Sequence, residues 1–315
     1  MNKFVFALLC LSSTSFAASP SEIKAAVESL PACQKYIRFD DRYVYTGFGS
    51  SSNPGYEDSI LLVYDHQSRA RHQLAIKDSS IDAARVDDSL FVLTPRSLEE
   101  WDLKTFRRTE IHRTYKQGFE FDYKQSATGM VAYKKYLFIS HGRLGLSVFD
   151  TESRALIFHT RLAAKQAGKE SMATAIVASG ERAYIAMDNF TLSPPNEKSA
   201  LRGIIVFNME TFKVEAELDG MDPGADALAT DGQRLIVSFS GQPIWKYDLN
   251  ALRSGLEKMP NPLGRIWKYP NHGHPTGSAA MDEENYYTCY YTPAHDGKAA
   301  TLGPKVWKRK DLKLD

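Results

Sequence analysis

The stretch EEWDLKTF, residues 99–106, joins a strand-like segment to a turn through the pair Trp101-Asp102. An Asp at this position can accept hydrogen bonds from the main-chain N–H groups just ahead of it, which fixes a tight turn. An aromatic residue followed by Asp or Asn ends a similar strand-like segment at four other places, and a sixth copy lacks the acid. The six copies begin at Tyr64, Trp101, Phe149, Phe207, Tyr247 and Trp307. The stretch is therefore one member of a repeat.

Each copy follows two strand-like segments that flank a polar turn. The residues just before these turns are 46 to 51 positions apart, and they are Phe39, Val86, Tyr133, Ser179, Thr230 and Met281. A near-constant period of this length indicates a repeat fold. Two strands, a third strand, a turn and a fourth strand make one blade of a β-propeller. We therefore predict an all-β, six-bladed β-propeller of four-stranded antiparallel blades, with seven blades as the alternative.

The N-terminal segment has the composition of a secretory signal peptide. Lys3 precedes an apolar run, and small residues flank Phe16, so cleavage is predicted after Ala17. We expect an exported protein, periplasmic or extracellular, without a membrane span. Residues 18–33 form an N-terminal lead with a short helix, capped by Ser21 and ended by Pro31, and residues 34–315 form a single propeller domain.

The charge balance argues against two classes of partner. The formal net charge is +1 with 39 basic and 38 acidic residues, which favours neither nucleic acid nor an anionic membrane surface. A local basic run, residues 305–310, is interpreted as a solvated edge strand. We expect a monomer.

The six aromatic-Asp turns resemble those of bacterial secreted propellers of the YVTN and quinoprotein-like repeat type. The resemblance covers about residues 34–315 and concerns the repeat pattern, not the motif of a binding site. It implies a scaffold that binds through its loops. A WD40 blade has a shorter period, of about 40 to 45 residues, and a Gly-His pair upstream of Trp-Asp. No such pair precedes Trp101 within its blade, and Gly273-His274 precedes Trp307, where the Asp is missing.

Two cysteines remain after removal of the signal peptide, Cys33 and Cys289. Cys33 precedes the first strand of blade one and Cys289 ends the second strand of blade six, and these blades are neighbours in a six-membered ring. In an oxidising compartment we predict a disulfide between them that closes the ring. Two buried free thiols are the alternative.

The long loops fall into the two classes that gather on one face of a propeller. They are residues 47–59, 187–202 and 291–304 between second and third strands, and 115–126, 162–171 and 269–278 between blades. The turns of the opposite face are predicted to have two or three residues. This asymmetry marks a functional face, called here the long-loop face. Its candidate binding residues are Tyr56, Asp188, Asn189, Phe190, His272, His274, His295 and Asp296. The three histidines could bind a transition metal, or their segment could be a simple turn.

The central channel offers a second set of candidates. Lys35, Asp82 and Asp226 stand at equivalent early positions of innermost strands. Six-bladed lactonases hold a divalent cation there, but two carboxylates are few for calcium, which takes six to eight oxygens. Asp82 and Asp226 are alternatively expected to pair with Lys35 or Arg85.

No catalytic motif is present in the sequence, and neither a catalytic residue nor a cofactor is predicted. We interpret the chain as an exported binding module for a protein or a small-molecule ligand. The alternatives are a metal-dependent hydrolase of the lactonase type and a structural component of a cell-envelope assembly.

Overall fold

The computed structural model describes residues 18–31, 33, 36–48, 59–76, 78–114, 127–162, 171–188, 201–221, 225, 227–238, 244–252, 256–266, 274–275, 279–292 and 301–312. Six antiparallel sheets follow one another along the chain, each built from consecutive strands. This arrangement confirms the six-bladed β-propeller.

The strands fall into six blades. Blade one contains β1 (Ile37–Phe39), β2 (Tyr43–Phe48), β3 (Ser59–Asp65) and β4 (Arg71–Ile76). Blade two contains β5 (Asp82–Val86), β6 (Ser89–Leu93), β7 (Ser97–Asp102) and β8 (Arg107–Arg113). Blade three contains β9 (Ala127–Tyr133), β10 (Tyr136–His141), β11 (Gly145–Asp150) and β12 (Ala155–Thr160). Blade four contains β13 (Met172–Ser179), β14 (Arg182–Asp188), β15 (Gly203–Asn208) and β16 (Lys213–Asp219). Blade five contains β17 (Ala227–Thr230), β18 (Arg234–Ser238), β19 (Ile244–Asp248) and β20 (Gly264–Ile266).

Blade six departs from this plan. Its innermost strand is in two pieces, β21 (His274–Pro275) and β22 (Ala280–Met281), and both pair with β23 (Asn285–Thr292). The third strand, β24 (Thr301–Lys308), pairs with β23 along its whole length. Among the described residues, blade six has no fourth strand.

The repeated acid or amide performs the predicted role in the turn after the third strand of five blades. One side-chain oxygen of Asp102 accepts hydrogen bonds from the main-chain N–H groups of Lys104 and Thr105, at 2.9 and 2.7 Å. Asp65, Asp150 and Asn208 accept in the same way in blades one, three and four, and Asp248 of blade five accepts from the main-chain N–H of Asn250. The Trp101-Asp102 motif therefore stabilises the turn that follows the third strand.

The core is divided among the interfaces between blades. The described residues form six buried hydrophobic clusters, and each joins two neighbouring blades. Trp101 belongs to the cluster between blades one and two, and Phe207 to the one between blades three and four. Propeller stability therefore depends on packing between blades, because one sheet cannot bury both of its faces alone.

A short helix, α1 (Pro20–Glu28), precedes blade one. It is capped by Ser19, whose side chain accepts from the main-chain N–H of Glu22 while Glu22 accepts from the main-chain N–H of Ser19. The predicted cap, Ser21, was wrong by two residues, because only Ser19 has Glu three residues later to complete a capping box. The apolar side of α1 packs between blades six and one, with Ile23 and Val27 buried.

The predicted disulfide is present. Cys33 and Cys289 are bonded, fully buried and 256 residues apart in sequence, and their Cα atoms are 5.3 Å apart. Both belong to the hydrophobic cluster that α1 forms with blades six and one. The bond is therefore a covalent clasp across the junction of the last and first blades, called here the seam.

We expect removal of this clasp to destabilise the whole ring. The Cys33→Ala, Cys289→Ala double variant should lose about 4 kcal/mol of unfolding free energy, because the bond closes a long loop of the unfolded chain. Urea unfolding of both proteins, with and without reductant, measures this. In reductant, the unfolding free energy of the wild type should equal that of the double variant. The unfolding free energy of the double variant should be the same with and without reductant. Equal stability of all four samples would contradict a closing role for the disulfide.

Candidate functional site

The two faces of the ring differ in the length of their connections, as predicted, except for the turns between third and fourth strands. The long-loop face carries the connections 49–58, 114–126, 161–171, 189–202 and 293–300. The turns between first and second strands on the opposite face have two or three residues, as in the pair Asp87-Asp88. Turns between third and fourth strands are longer than predicted, and the one in blade five spans residues 249–263. The opposite face is therefore not uniformly short.

Few of the predicted binding residues lie in the described part of the chain. Asp188 ends β14 and forms an ion pair with Arg202, with a 3.7 Å distance between its Oδ1 and Nε of the arginine. This pair stands at the base of the long connection of blade four. His274 lies in β21, at the inner edge of blade six. Tyr56, Asn189, Phe190, His272, His295 and Asp296 lie outside the described residues.

In the channel, Asp82 is paired with an arginine that the sequence reasoning missed. Its two carboxylate oxygens accept from Nε and Nη2 of Arg38 at 2.9 and 2.8 Å, and Asp82 is fully buried. Arg85, one of the two predicted partners, pairs instead with Asp40 and Asp41. Lys35 and the other channel acid, Asp226, lie outside the described residues, and the prediction for them stays a prediction. Arg38 reaches Asp82 from the innermost strand of the neighbouring blade.

The Arg38–Asp82 pair also binds the inner edges of other blades. Asp82 accepts from the main-chain N–H of Met130, in blade three, at 3.0 Å. Nη1 of Arg38 donates to the carbonyl of Ala279, in blade six, at 3.1 Å. The pair thus connects four of the six blades around the channel. Because both Asp82 oxygens are occupied, this residue is a structural anchor and a poor ligand for a lactonase-type cation.

A central cavity of about 400 Å³ lies at the end of the channel toward the short turns. Side chains from all six innermost strands line it, and most of them are alanine, valine or methionine. Its charged groups lie on one side, where Arg38, Arg85 and Asp40 come from blades one and two together with Tyr45, and Thr230 of blade five adds a hydroxyl. Burial raises the pKa of Asp40, and the hydrogen bonds from Tyr45 and from main-chain N–H groups do not offset this fully. The cavity is therefore apolar on one side and charged on the other.

A second cleft, of about 860 Å³, lies between α1 and the short turns of blades five, six and one. Its walls include the carboxylates Asp40, Asp41, Asp231, Asp282 and Glu283. Most of these acids have internal partners: Asp231 binds Arg309 at 2.7 Å, and Asp282 accepts from Tyr287 and from the main chain. These acids serve mainly to fix the turns and join neighbouring blades.

Two carboxylates and an imidazole also meet between blades two and three. The ligand atoms of Glu100, Glu110 and His112 lie within 4.8 Å of one another. Arg154, from blade three, donates to both carboxylate oxygens of Glu100 at 3.1 Å, and His112 lies 2.9 Å from the same carboxylate. Burial raises the pKa of Glu100, but the bonds from Arg154 and His112 outweigh this, so the net pKa is lowered. With a guanidinium bound in place, the group is an ion-pair network that joins two blades.

Two buried hydroxyl groups without hydrogen-bond partners, those of Thr114 and Ser171, and one buried imidazole, that of His141, stand at the long-loop face. They belong to blades two, four and three. His141 and Thr114 are fully buried, and Ser171 is 6% exposed. Thr114 and Ser171 adjoin the interblade connections 115–126 and 163–170. Such groups are rare in native proteins, because burying a polar atom without a partner costs about 1–3 kcal/mol.

Burial governs the titration of His141. It lowers the pKa of this imidazole from 6.5 to about 3; His159 lowers it further, and the nearby main chain of Thr114 raises it only partly. The sequence shows a histidine at the end of an apolar strand, but the burial of that strand end depends on neighbouring blades. Sequence reasoning therefore had no signal that would identify it.

The Arg38–Asp82 pair leads to a prediction on stability. Arg38→Met leaves a buried carboxylate without its cation and should cost about 3–5 kcal/mol of unfolding free energy. Adding Asp82→Asn should restore part of this loss, because the uncompensated charge is removed. Urea unfolding of the two variants and the wild type measures both effects. A double variant less stable than Arg38→Met would contradict the assignment of the loss to an unpaired charge.

His141 leads to a prediction on pH dependence. Its pKa is lower in the folded than in the unfolded chain, so the unfolded state binds more protons below pH 6.5 and stability falls as the pH falls from there toward 3. Between pH 6 and 5 the slope from this group should approach about 1.4 kcal/mol per pH unit. Unfolding free energies at pH 7, 6 and 5 should show this slope in wild type and lack it in His141→Leu. The same slope in both proteins would rule out His141 as its source.

Comparison with known proteins places the chain by its fold. No family model matches the sequence, and no curated protein matches it. The solved WD40 repeats of RRP9 superpose with a TM-score of 0.55 at 10% identity, covering 88% of this chain and 81% of that one. U3-55K gives 0.53 at 10% identity, with 88% and 82% coverage. The extracellular domain of a putative one-component system, BT4673 of B. thetaiotaomicron, gives 0.53 at 13% identity, covering 87% of this chain and 32% of that one. At these identities the similarity shows a shared propeller fold and nothing finer.

Proposed function

We propose that the protein is an exported β-propeller that binds a protein or small-molecule partner through its long-loop face. The observation that supports this most directly is the collection of five long connections on that face, residues 49–58, 114–126, 161–171, 189–202 and 293–300. Loop length beyond what is needed to join two strands is common at binding surfaces. The fold agrees with this role, because propellers commonly present loops for binding on a rigid ring. The proposal requires no cofactor.

We also propose that the blades are of the YVTN and quinoprotein-like repeat type. The support is the turn after each third strand, where Asp102 and its equivalents cap the main chain in five blades. Export to the periplasm or the cell exterior is supported by the buried Cys33–Cys289 disulfide, since such bonds persist in oxidising compartments. In the described part of the chain, no helix has both the length and the apolar character needed to cross a membrane.

Export has a direct test. Protein purified from the native host should be found in the periplasmic or extracellular fraction with Ala18 as its first residue. Edman sequencing or intact mass measurement reads this. A full-length chain beginning at Met1 in the cytoplasmic fraction would contradict the export step and leave the binding face to be tested separately.

Binding through the long-loop face has a loop-shortening test. Replacement of residues 189–200 by two glycines keeps the Asp188–Arg202 pair at the base of the loop. Native mass spectrometry of protein purified from its own compartment should show a bound partner on the wild type and at least tenfold less on the variant. Glu283→Lys, on the opposite face, is the matched control and should keep the partner. A partner retained by the loop variant and lost by the control would assign binding to the other face.

A further inference from the structure

Within the described residues, blade six is one strand short, and the strand it lacks is the outermost one. In each of the other five blades a fourth strand pairs with the third. In blade six, β24 pairs with β23 on one side, and no described residue pairs with its other edge. After β24 the chain forms a turn, in which the N–H groups of Asp311 and Leu312 both donate to the carbonyl of Lys308. Among the described residues, β24 is therefore the last strand of this sheet.

The register identifies which main-chain groups face the open edge. The N–H of Arg309 donates to the carbonyl of Glu284 at 2.9 Å, one step beyond the pair Lys308 and Asn285. In an antiparallel ladder, alternate residues direct both main-chain groups to the same side. The groups that point away from β23 therefore belong to Leu302, Pro304, Val306 and Lys308.

The position of Pro304 agrees with this register. A proline that pointed toward β23 would remove a ladder hydrogen bond, whereas at an outer position it removes none. It leaves three outward N–H groups, those of Leu302, Val306 and Lys308. It also leaves the outward carbonyls of Leu302, Pro304 and Val306, since that of Lys308 is used by the turn. This is a partial edge, interrupted once, that can accept a strand on both sides of the proline.

Helix α1 does not occupy the edge. It packs on a face of blade six through a cluster that includes Val306, Tyr287 and Cys289. A helix uses its own main-chain groups internally, so it cannot satisfy a strand edge. Every residue of β24 is half-buried or exposed, whereas all residues of the third strands β11 and β15 are buried. Within the described residues, β24 is thus less buried than these third strands.

The charge of the edge limits what could cover it. Lys305 and Lys310 are exposed, and the ammonium of Lys305 lies 5.2 Å from the ring centre of Trp307. Lys308 has one ion-pair partner, Glu284, at 2.9 Å. A second copy of this chain would bring the same lysines close to one another, which opposes symmetric edge-to-edge pairing. An acidic strand would complement them.

The outer strands of the other blades show the pattern that such a strand needs. In β4 and β16, buried residues alternate with exposed or half-buried ones, as Leu74 and Ile76 do and as Ala216 and Leu218 do. We propose that the outer edge of β24 binds an extended acidic segment of a partner protein as the missing fourth strand. Main-chain hydrogen bonds would supply affinity, and apolar residues alternating with Asp or Glu would supply specificity. This surface is separate from the long-loop face.

The test uses the full chain and an eight-residue acetylated peptide that alternates valine and glutamate. Hydrogen exchange followed by NMR should show the amides of Leu302 and Val306 exchanging fast without peptide. Excess peptide should slow them at least about tenfold. The amide of Val63, in the paired strand β3, is the internal control and should exchange slowly throughout. Binding without protection of Leu302 and Val306, or protection of both amides before peptide is added, would overturn the proposal.

Two further comparisons separate strand addition from simple charge attraction. The same peptide methylated on alternate main-chain nitrogens keeps its charge but loses hydrogen bonds, so it should protect these amides less than twofold. Val306→Pro should also abolish protection while leaving the β23 pairing intact. If that variant does not fold, the Lys305→Glu, Lys310→Glu variant serves, and it should prefer a valine-lysine peptide. Equal protection by the methylated peptide, or no change of preference on charge reversal, would contradict the proposal.

Discussion

The ring depends on its closure between blades six and one, because no described strand is exchanged across the seam. Blade one takes its strands from residues 37–76 and blade six from residues 274–308. Three different forces act there instead. The disulfide of Cys33 and Cys289 is covalent, the cluster around α1 is hydrophobic, and Arg38 forms a hydrogen bond to the carbonyl of Ala279. All three contacts join residues that are far apart in sequence, so each requires the same long stretch of chain to form a loop. The conformational entropy lost in forming this loop is lost once and is shared by the three contacts.

The two halves of the ring differ in the turns between first and second strands. In blades two, three and four the turn between first and second strands has two residues with a left-handed residue, Asp87, Lys134 or Gly180. In blades five, six and one it has three residues, and an aspartate caps the main chain: Asp231, Asp282 or Asp40. The aspartates therefore gather beside α1, where they line the acidic cleft. Arg85 and Arg309 offset part of this charge and connect neighbouring blades.

The sequence was most informative where structure follows from local chemistry or from period. Asp102 caps its turn because its oxygen reaches amides two and three residues ahead, and such a contact can be inferred from one segment. The disulfide followed from the period, since blade count alone makes the first and last blades neighbours. The sequence could not show that Arg38 pairs with Asp82, because this pairing depends on the direction in which the Arg38 side chain leaves an innermost strand 44 residues away. The same holds for His141, whose burial is produced by neighbouring blades, and for the long connection of blade five. The helix cap was missed although Ser19 and Glu22 carried the signal.

The open edge of β24 and the seam are coupled through β23. The residue opposite Pro304 in that ladder is Cys289, so the strand held by the disulfide is also the strand that positions β24. A partner strand added to β24 would bind only the folded blade, and ligands that bind only the folded state stabilise it. Partner binding and the disulfide would therefore stabilise the same blade from opposite sides. The long-loop face differs in the groups it offers, since binding there would use side chains of the connections, whereas binding at β24 would use main-chain groups. Both surfaces depend on closure, because the connections 49–58 and 293–300 belong to the two blades that meet at the seam.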